Sequence, residues 1–222
     1  MRAHDLIIFD CDGVLVDSER ITCTVLATML NELGLAATME TAYEEFVGNS
    51  LTRCIDIIEA KLGTPIPENF VADFKRRTGE ALSESLSAVD GIKEALAAID
   101  LPTCVASSGD HDKMKITLGV TGLYSHFEGR IFSVTEVARS KPHPDVYLYA
   151  ASKMQTAPER CIVVEDTAIG VTAAVAAGMT VLGYAKLSDP QQLADAGAIP
   201  FDDMHQLPAR IQAIGSGQYS RS

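Results

Sequence analysis

Short apolar runs bounded by turn-forming residues recur along the chain and predict buried β-strands. They occupy residues 6–9, 103–106, 130–133, 161–164 and 180–183. Their apolar residues are mostly consecutive rather than alternate, which is typical of parallel strands covered on both faces. Segments with helical periodicity separate the later runs, at residues 91–99, 112–118, 144–154 and 168–177. This alternation predicts an α/β fold with an open, doubly wound parallel sheet.

The long gap between the first two predicted strands contains helical periodicity and no strand-like run. Apolar stripes within it predict helices over residues 21–33, 55–62 and 70–86. The gap is too long for a strand-to-strand crossover and too regular for a loop. We therefore predict a core domain formed by residues 1–16 and 88–222, with a small helical domain inserted at residues 17–87.

The composition indicates compact domains and argues against some classes of partner. The 222 residues are 47% hydrophobic, which suits one or two compact domains with a sizeable core. The net charge is -12 and the sequence pI is about 4.8. This acidity argues against nucleic acid or an anionic membrane as the main partner, because both attract basic surfaces. A small phosphorylated ligand stays possible, since a few local cations can outweigh the overall field.

The cysteines and the N-terminal residues indicate a reducing, cytoplasmic setting. The five cysteines are odd in number and form no C-x-x-C pair, which is typical of free thiols. The apolar run at residues 6–9 is too short for a signal peptide. The uncharged stretch at residues 167–185 is rich in small residues and glycine, so a helix followed by a strand explains it better than a membrane span.

Polar residues follow four of the predicted strands, at the carboxyl ends where open parallel sheets bind their ligands. They are Asp10 and Asp12 after the first strand, Ser107, Ser108 and Gly109 after the second, Lys141 after the third, and Glu165 and Asp166 after the fourth. Carboxylates that converge repel each other and need a cation, and oxygen ligands favour magnesium. The combination predicts a magnesium-dependent site for a phosphorylated substrate.

The residue types also indicate how such a site could act. Asp10 and Asp12 are two positions apart, so in an extended segment their side chains lean to the same side. One carboxylate can attack phosphorus while the other moves protons. Ser107 and the N–H groups after it can hold phosphate oxygens, and Lys141 can neutralise negative charge. Taken alone, Asp166 is more typical of a helix cap, Ser107 to Gly109 of a turn and Lys141 of an exposed lysine, whereas the pair of Asp10 and Asp12 is a stronger signal. The prediction depends on the ordered combination of these features.

The ordered motifs resemble those of the haloacid dehalogenase superfamily. Residues 9–19 resemble its first motif, 106–109 its second, 140–145 its third and 163–170 its fourth. The resemblance implies a Rossmann-like core with an inserted α-helical cap. That subfamily contains β-phosphoglucomutase, phosphoglycolate phosphatase and several sugar phosphatases. Residues 101–154 also resemble bacterial 6-phosphogluconate phosphatases.

The resemblance implies a role for each site residue. Asp10 would be the nucleophile, and Asp12 would protonate the leaving alcohol and then activate water. Phosphate would be bound by Ser107, Ser108, Gly109 and Lys141. Magnesium would be held by the Asp10 carboxylate, the Asp12 backbone carbonyl, Asp166, and Glu165 either directly or through water. In the cap, the residues expected to contact the substrate are Asn49 and Arg53.

Hydrolysis is the favoured reaction, and two alternatives stay open. The mutases of this subfamily carry a histidine in the first cap helix, whereas this chain has none between His4 and His111. We therefore expect a phosphatase of a small sugar or sugar-acid phosphate that acts as a monomer. The alternatives are a sugar-phosphate mutase and a non-catalytic protein that binds a phosphorylated ligand.

Overall fold

Six parallel β-strands form one sheet in this computed structural model, which describes residues 4–47 and 51–215. In chain order they are β1 (Leu6–Phe9), β2 (Thr103–Ser107), β3 (Ile131–Ser133), β4 (Cys161–Glu165), β5 (Thr180–Tyr184) and β6 (Ile199–Phe201). Their order across the sheet is β3-β2-β1-β4-β5-β6. The strand order therefore reverses at β1, between β2 and β4, and open sheets bind ligands at such a point.

The register of the three middle strands determines which residues leave the sheet together. Phe9 at the end of β1 pairs with Val105 of β2 and with Val164 of β4. All residues of these three strands are buried, which explains their consecutive apolar residues. The next residues along the chain, Asp10 and Glu165, consequently emerge side by side at the carboxyl edge.

The chain divides into two compact units, one formed by the chain up to Val16 and from Ala88 onward, the other by Asp17–Ser87. A backbone contact joins the ends of each unit. Val16 forms an antiparallel bridge with Ala88 in the first, and the Asp17 N–H donates to the Ser87 carbonyl over 3.0 Å in the second. We call the first unit the core unit and the second the helical unit.

Over its described residues, 17–47 and 51–87, the helical unit contains four helices. They are α1 (Ser18–Glu32), α2 (Met39–Phe46), α3 (Leu51–Leu62) and α4 (Phe70–Ser85). Three of them lie where the apolar stripes predict helices, and α2 is additional. A capping box begins α2, in which the side chains of Thr38 and Thr41 each accept from the other residue's backbone N–H. The residue three positions after the N-cap is usually Glu or Gln in this signature, so a threonine there makes the start of α2 hard to predict from the sequence.

The core unit also contains helices. They are α5 (Ile92–Ala98), α6 (His111–Val120), α7 (Tyr124–Phe127), α8 (Asp145–Lys153), α9 (Ala168–Ala176), α10 (Pro190–Asp195) and α11 (Leu207–Gly215). A buried cluster joins Ile8 and Val163 of the sheet to Tyr147 of α8 and Val171 of α9. The predicted fold class, a doubly wound parallel α/β sheet, is confirmed. Over the described residues, no helix is both long enough and apolar enough to cross a bilayer.

Candidate active site

Asp10 lies directly after β1 and contacts the ammonium group of Lys141. Its side chain is buried, and its Oδ1 accepts a hydrogen bond from the Lys141 ammonium over 2.6 Å. The same ammonium donates to Glu165 Oε1 over 2.8 Å and lies 3.4 Å from the Ala106 carbonyl oxygen. Lys141 therefore joins two carboxylates that leave neighbouring strands, with its side chain only 6% exposed.

The turn after Asp10 brings the backbone against Asp166. Gly13 has a φ of 75°, and its N–H donates to the Val16 carbonyl over 2.9 Å. A Cβ added at Gly13 would lie 2.0 Å from Asp166 Oδ2. Glycine is needed at this position for two reasons. Its φ is left-handed, and the Asp166 carboxylate occupies the space that a side chain would need. The carboxylate of Asp166 thus lies against the Gly13 backbone.

Asp12 forms an ion pair with a second lysine. Its Oδ2 accepts from the Lys113 ammonium over 2.7 Å. Lys113 lies in the first turn of α6, where its backbone N–H donates to the N-cap residue Asp110 over 2.8 Å. The Lys113 side chain is 43% exposed, whereas that of Asp12 is 15% exposed. Asp10 and Asp12 therefore each contact a separate lysine, one buried and one partly exposed.

Ser107 ends β2 and shapes the loop that follows it. The side chain is buried, and its Oγ accepts from the Gly109 N–H over 3.0 Å. The Ser133 hydroxyl donates to the Gly109 carbonyl over 2.7 Å, which ties this loop to the end of β3. Ser108 is exposed between them. The loop leads directly into α6, so its backbone N–H groups lie at a helix N-terminus, where anions are favoured.

Glu165 accepts four hydrogen bonds from protein donors. Its Oε1 accepts from Lys141 and from the Tyr147 hydroxyl, the latter over 3.0 Å. Its Oε2 accepts from the Thr167 N–H over 2.8 Å and from the Thr167 hydroxyl over 3.0 Å. A Cβ at Gly170 would lie 1.6 Å from Oε1, so only glycine leaves room for this carboxylate. Four donors use the full accepting capacity of a carboxylate.

Burial and neighbouring charges shift the pKa values of these groups in opposite directions. Burial raises the pKa of Asp10 to about 7, with Lys141 opposing the rise and Glu165 adding to it. Burial also acts to raise the pKa of Glu165, but Lys141 and the hydrogen-bond donors outweigh it and leave that pKa below its ordinary value. Burial acts to lower the pKa of Lys141, yet the two carboxylates hold it well above its ordinary value. The site therefore keeps one ammonium between two acids of different strength.

The family described as haloacid dehalogenase-like hydrolase matches residues 7–184, which include all of the core residues described above. The chain belongs to the haloacid dehalogenase-like hydrolases. The resemblance predicted from the four motifs is thereby confirmed.

Several curated relatives of this hydrolase are phosphatases. The 6-phosphogluconate phosphatase of Escherichia coli (strain K12) is 31% identical over 97% of this chain and 98% of its own length. A solved haloacid dehalogenase-like protein of unknown function from Agrobacterium tumefaciens is 34% identical with a TM-score of 0.90, over 95% of this chain and 99% of that one. A family hydrolase from Deinococcus radiodurans with bound phosphate and sodium is 28% identical with a TM-score of 0.84, over 97% and 98%. This hydrolase is accordingly a phosphoric monoester hydrolase.

The core residues fit the magnesium ion that the family generally uses. The available donors are the carboxylates of Asp10 and Asp166 and the Asp12 backbone carbonyl, all of them hard oxygens. Within residues 4–47 and 51–215, no three His, Cys, Asp or Glu side chains group together as a metal site. Two carboxylates and a carbonyl still suit magnesium, because this ion usually keeps several waters. Binding of magnesium by Glu165, directly or through water, stays a prediction. Both oxygens of its carboxylate already accept hydrogen bonds from protein donors.

Several predicted site residues of the core unit contact one another, whereas the predicted contacts of the helical unit stay untested. The core unit brings Lys141 against Asp10 and Glu165, and it brings Asp166 against the first-motif turn. Arg53 lies on α3 of the helical unit with an exposed side chain, and its contact with substrate stays a prediction. The predicted contact of Asn49 falls on a residue outside the described ranges.

Sequence reasoning missed two residues of this site, Lys113 and Tyr147. Both lie on helices that directly follow a motif, in the first turn of α6 and of α8. A lysine in a first turn opposes the helix dipole and is a weak signal that another charge holds it there. Tyr147 gives no such signal, because a buried tyrosine is an ordinary part of an apolar helix face.

Proposed function

We propose that this phosphatase hydrolyses small sugar or sugar-acid phosphates through an aspartyl-phosphate on Asp10, with magnesium bound at the core site. The observation that carries the proposal is the buried Asp10 carboxylate at the end of the middle strand, 2.6 Å from the Lys141 ammonium. A carboxylate in that place can reach a ligand at the switch point of the sheet, and the ammonium can offset the charge of a phosphoryl group.

In the first half of the reaction, an Asp10 carboxylate oxygen attacks phosphorus. The bond between Asp10 and phosphorus forms as the bond between phosphorus and the alcohol oxygen breaks. Asp12 gives its proton to that leaving oxygen, so the alcohol departs neutral. Lys141 and the N–H groups after Ser107 hold the phosphoryl oxygens, on which negative charge is concentrated.

In the second half, Asp12 removes a proton from a water molecule that attacks the same phosphorus. The bond between Asp10 and phosphorus breaks, which releases inorganic phosphate and restores both carboxyl groups. Magnesium, when bound by the Asp10 and Asp166 carboxylates and the Asp12 carbonyl, supplies positive charge that offsets the repulsion between the acids and the phosphate. No further cofactor is needed for this cycle.

The substrate class is inferred from the relatives and the helical unit. The Escherichia coli 6-phosphogluconate phosphatase matches nearly the whole chain, including the helical unit at Asp17–Ser87. We propose that this unit is the cap and that Asn49 and Arg53 contact the part of the substrate beyond the phosphate. Arg53 suits a carboxylate or hydroxyl group there. A cytoplasmic setting is supported by the five free cysteines, which a reducing compartment preserves.

A panel of phosphate esters tests this function. Inorganic phosphate release is measured with magnesium on 6-phosphogluconate, glucose 6-phosphate, a hexitol 6-phosphate and p-nitrophenyl phosphate. We expect release from all four, with the highest kcat/KM for a sugar or sugar-acid phosphate. Conversion of glucose 1-phosphate to glucose 6-phosphate with a bisphosphate activator and little free phosphate would identify a mutase instead. Tight binding of these esters without turnover of any would identify a binding protein.

Replacing Lys113 with methionine is expected to lower kcat for p-nitrophenyl phosphate by about two- to fivefold, because an ion pair this exposed contributes little free energy. The ammonium donates to Asp12 Oδ2, and its loss removes one contact that orients this carboxylate. Lys115, two residues further along α6, provides the matched control variant Lys115→Met. Equal kcat values for the two variants would show that Lys113 does not position Asp12.

A further inference from the structure

Tyr147 is a buried tyrosine whose two ends contact the charged groups around Asp10. It lies on α8, fully inaccessible to solvent. Its hydroxyl donates to Glu165 Oε1 over 3.0 Å, and the Lys141 ammonium lies 4.8 Å from the centre of its ring. One side chain therefore contacts both the lysine and the acid that holds the lysine. Such a distance suits a cation–π contact, which gains strength where water is excluded.

The position of the Lys141 ammonium is determined by three acceptors. An ammonium has three N–H donors, and here the acceptors are Asp10 Oδ1, Glu165 Oε1 and, more weakly, the Ala106 carbonyl. A flexible lysine side chain gains one definite orientation only if its acceptors are themselves fixed. The position of the Lys141 ammonium therefore depends on how firmly the Glu165 carboxylate is held.

The Glu165 carboxylate is in turn fixed on both of its oxygens. Thr167 holds Oε2 through its N–H and its hydroxyl, while Tyr147 shares Oε1 with Lys141. Gly170 leaves the space that the carboxylate occupies, since a Cβ there would overlap Oε1. Removal of the Tyr147 hydroxyl would leave Oε1 with Lys141 as its single donor. The Thr167 bonds would still hold Oε2, but Oε1 would lose one of its two restraints, and the ammonium could shift together with this oxygen.

We infer that Tyr147 is a positioning residue, which acts through Glu165 to keep the Lys141 ammonium on the side of Asp10 where the phosphoryl group binds. The inference rests on the proposed phosphatase mechanism and adds to it a residue outside the four motifs. In this arrangement the Glu165 carboxylate orients the Lys141 ammonium. A tyrosine that merely filled the core would need its ring but not its hydroxyl, so the hydroxyl distinguishes the two roles.

Tyr147→Phe removes the hydroxyl and keeps the ring. The matched control is Tyr149→Phe on the same helix, whose hydroxyl donates to Glu136 at the surface over 3.0 Å. The kcat and KM for p-nitrophenyl phosphate are measured for both variants at saturating magnesium. We expect Tyr147→Phe to lower kcat about tenfold, because a hydrogen bond to a charged group is lost, with KM changed by less than about twofold. Tyr149→Phe should match the wild type.

A double-variant cycle shows whether the effect passes through the lysine. Once Lys141→Met has removed the ammonium, adding Tyr147→Phe should lower kcat no further, because residues that act as a unit are non-additive. A further tenfold loss in the Lys141→Met background would overturn the inference. Glu165→Gln, which keeps the buried volume, should reproduce the selective loss of kcat, and an unchanged kcat in that variant would contradict it.

Two additional outcomes separate this inference from the proposed function. An active wild type together with a Tyr147→Phe variant of equal kcat and lower melting temperature would show a purely structural tyrosine. An inactive wild type on every phosphate ester would reject the proposed function itself. Thermal unfolding of each variant, measured beside its kinetics, distinguishes the two cases.

Discussion

Asp10→Asn is expected to lower kcat for phosphate release by about 10⁴-fold or more, because it removes the proposed nucleophile. The amide keeps the shape of the side chain but cannot form an acyl phosphate that turns over. Burial raises the pKa of Asp10 to about 7, so the surroundings of this side chain already oppose its charged form. A neutral amide should therefore be accommodated without loss of the fold. Colorimetric release of phosphate from p-nitrophenyl phosphate and 6-phosphogluconate measures the effect.

The control for Asp10→Asn is an aspartate near the amino ends of the strands, away from the carboxyl ends that carry the site. Asp100 is exposed and comes before the start of β2, so Asp100→Asn changes the net charge equally and leaves the site intact. Its kcat should equal that of the wild type. Circular dichroism and thermal unfolding establish that both variants are folded. Undiminished turnover by a folded Asp10→Asn protein would exclude the covalent mechanism.

Asp12→Asn is expected to slow turnover by about 10²- to 10⁴-fold and to leave phosphate attached to the protein. The choice of substrate exposes the two steps separately. The p-nitrophenolate leaving group departs without a proton, so Asp10 should still be phosphorylated by p-nitrophenyl phosphate. Hydrolysis of the intermediate needs a base for water and should be slow. Intact-protein mass spectrometry after acid quenching should then detect one added phosphoryl group.

A sugar phosphate gives the complementary result for Asp12→Asn. Its alcohol needs a proton to leave, so the first step should be slow and little phosphoprotein should accumulate. The double variant Asp10→Asn with Asp12→Asn should remain unlabelled by either substrate, since it lacks the attacking oxygen. Wild-type rates in the single Asp12→Asn variant would reject the acid–base role of this residue.

The strands that carry the site are the ones that the sequence predicts best. β1, β2 and β4 are covered on both faces, and complete burial forces a consecutive apolar run that is visible in one sequence. β6 lies at the edge of the sheet, spans three residues and contains Pro200, so it has neither the length nor the pattern of a buried strand. An edge strand tolerates proline because one side needs no hydrogen-bonded partner.

The site itself is predictable at strand ends and unpredictable on helices. Asp10 and Glu165 follow buried strands, and parallel strands bring their carboxyl ends to one edge. The bond from Lys113 to Asp12 joins residues 101 positions apart, and no periodicity along the chain encodes that pairing. Helical periodicity predicts that Tyr147 is buried, yet it does not indicate which acceptor its hydroxyl meets. Strand topology is thus readable from the sequence, while contacts between helix side chains and loop carboxylates depend on the packing of both.

The middle position of β1 has a consequence for the order in which the protein folds. β1 is synthesised first, but both of its partners, β2 and β4, follow the helical unit at Asp17–Ser87. Closing a disordered loop of about 70 residues costs on the order of 4 kcal/mol of chain entropy. The hydrogen bond between Asp17 and Ser87 joins the ends of the helical unit, so a helical unit that folds first removes most of that cost. Residues 10–16 and 88–102, which include α5, are then all that separates β1 from β2, so these two strands can pair once the helical unit has folded.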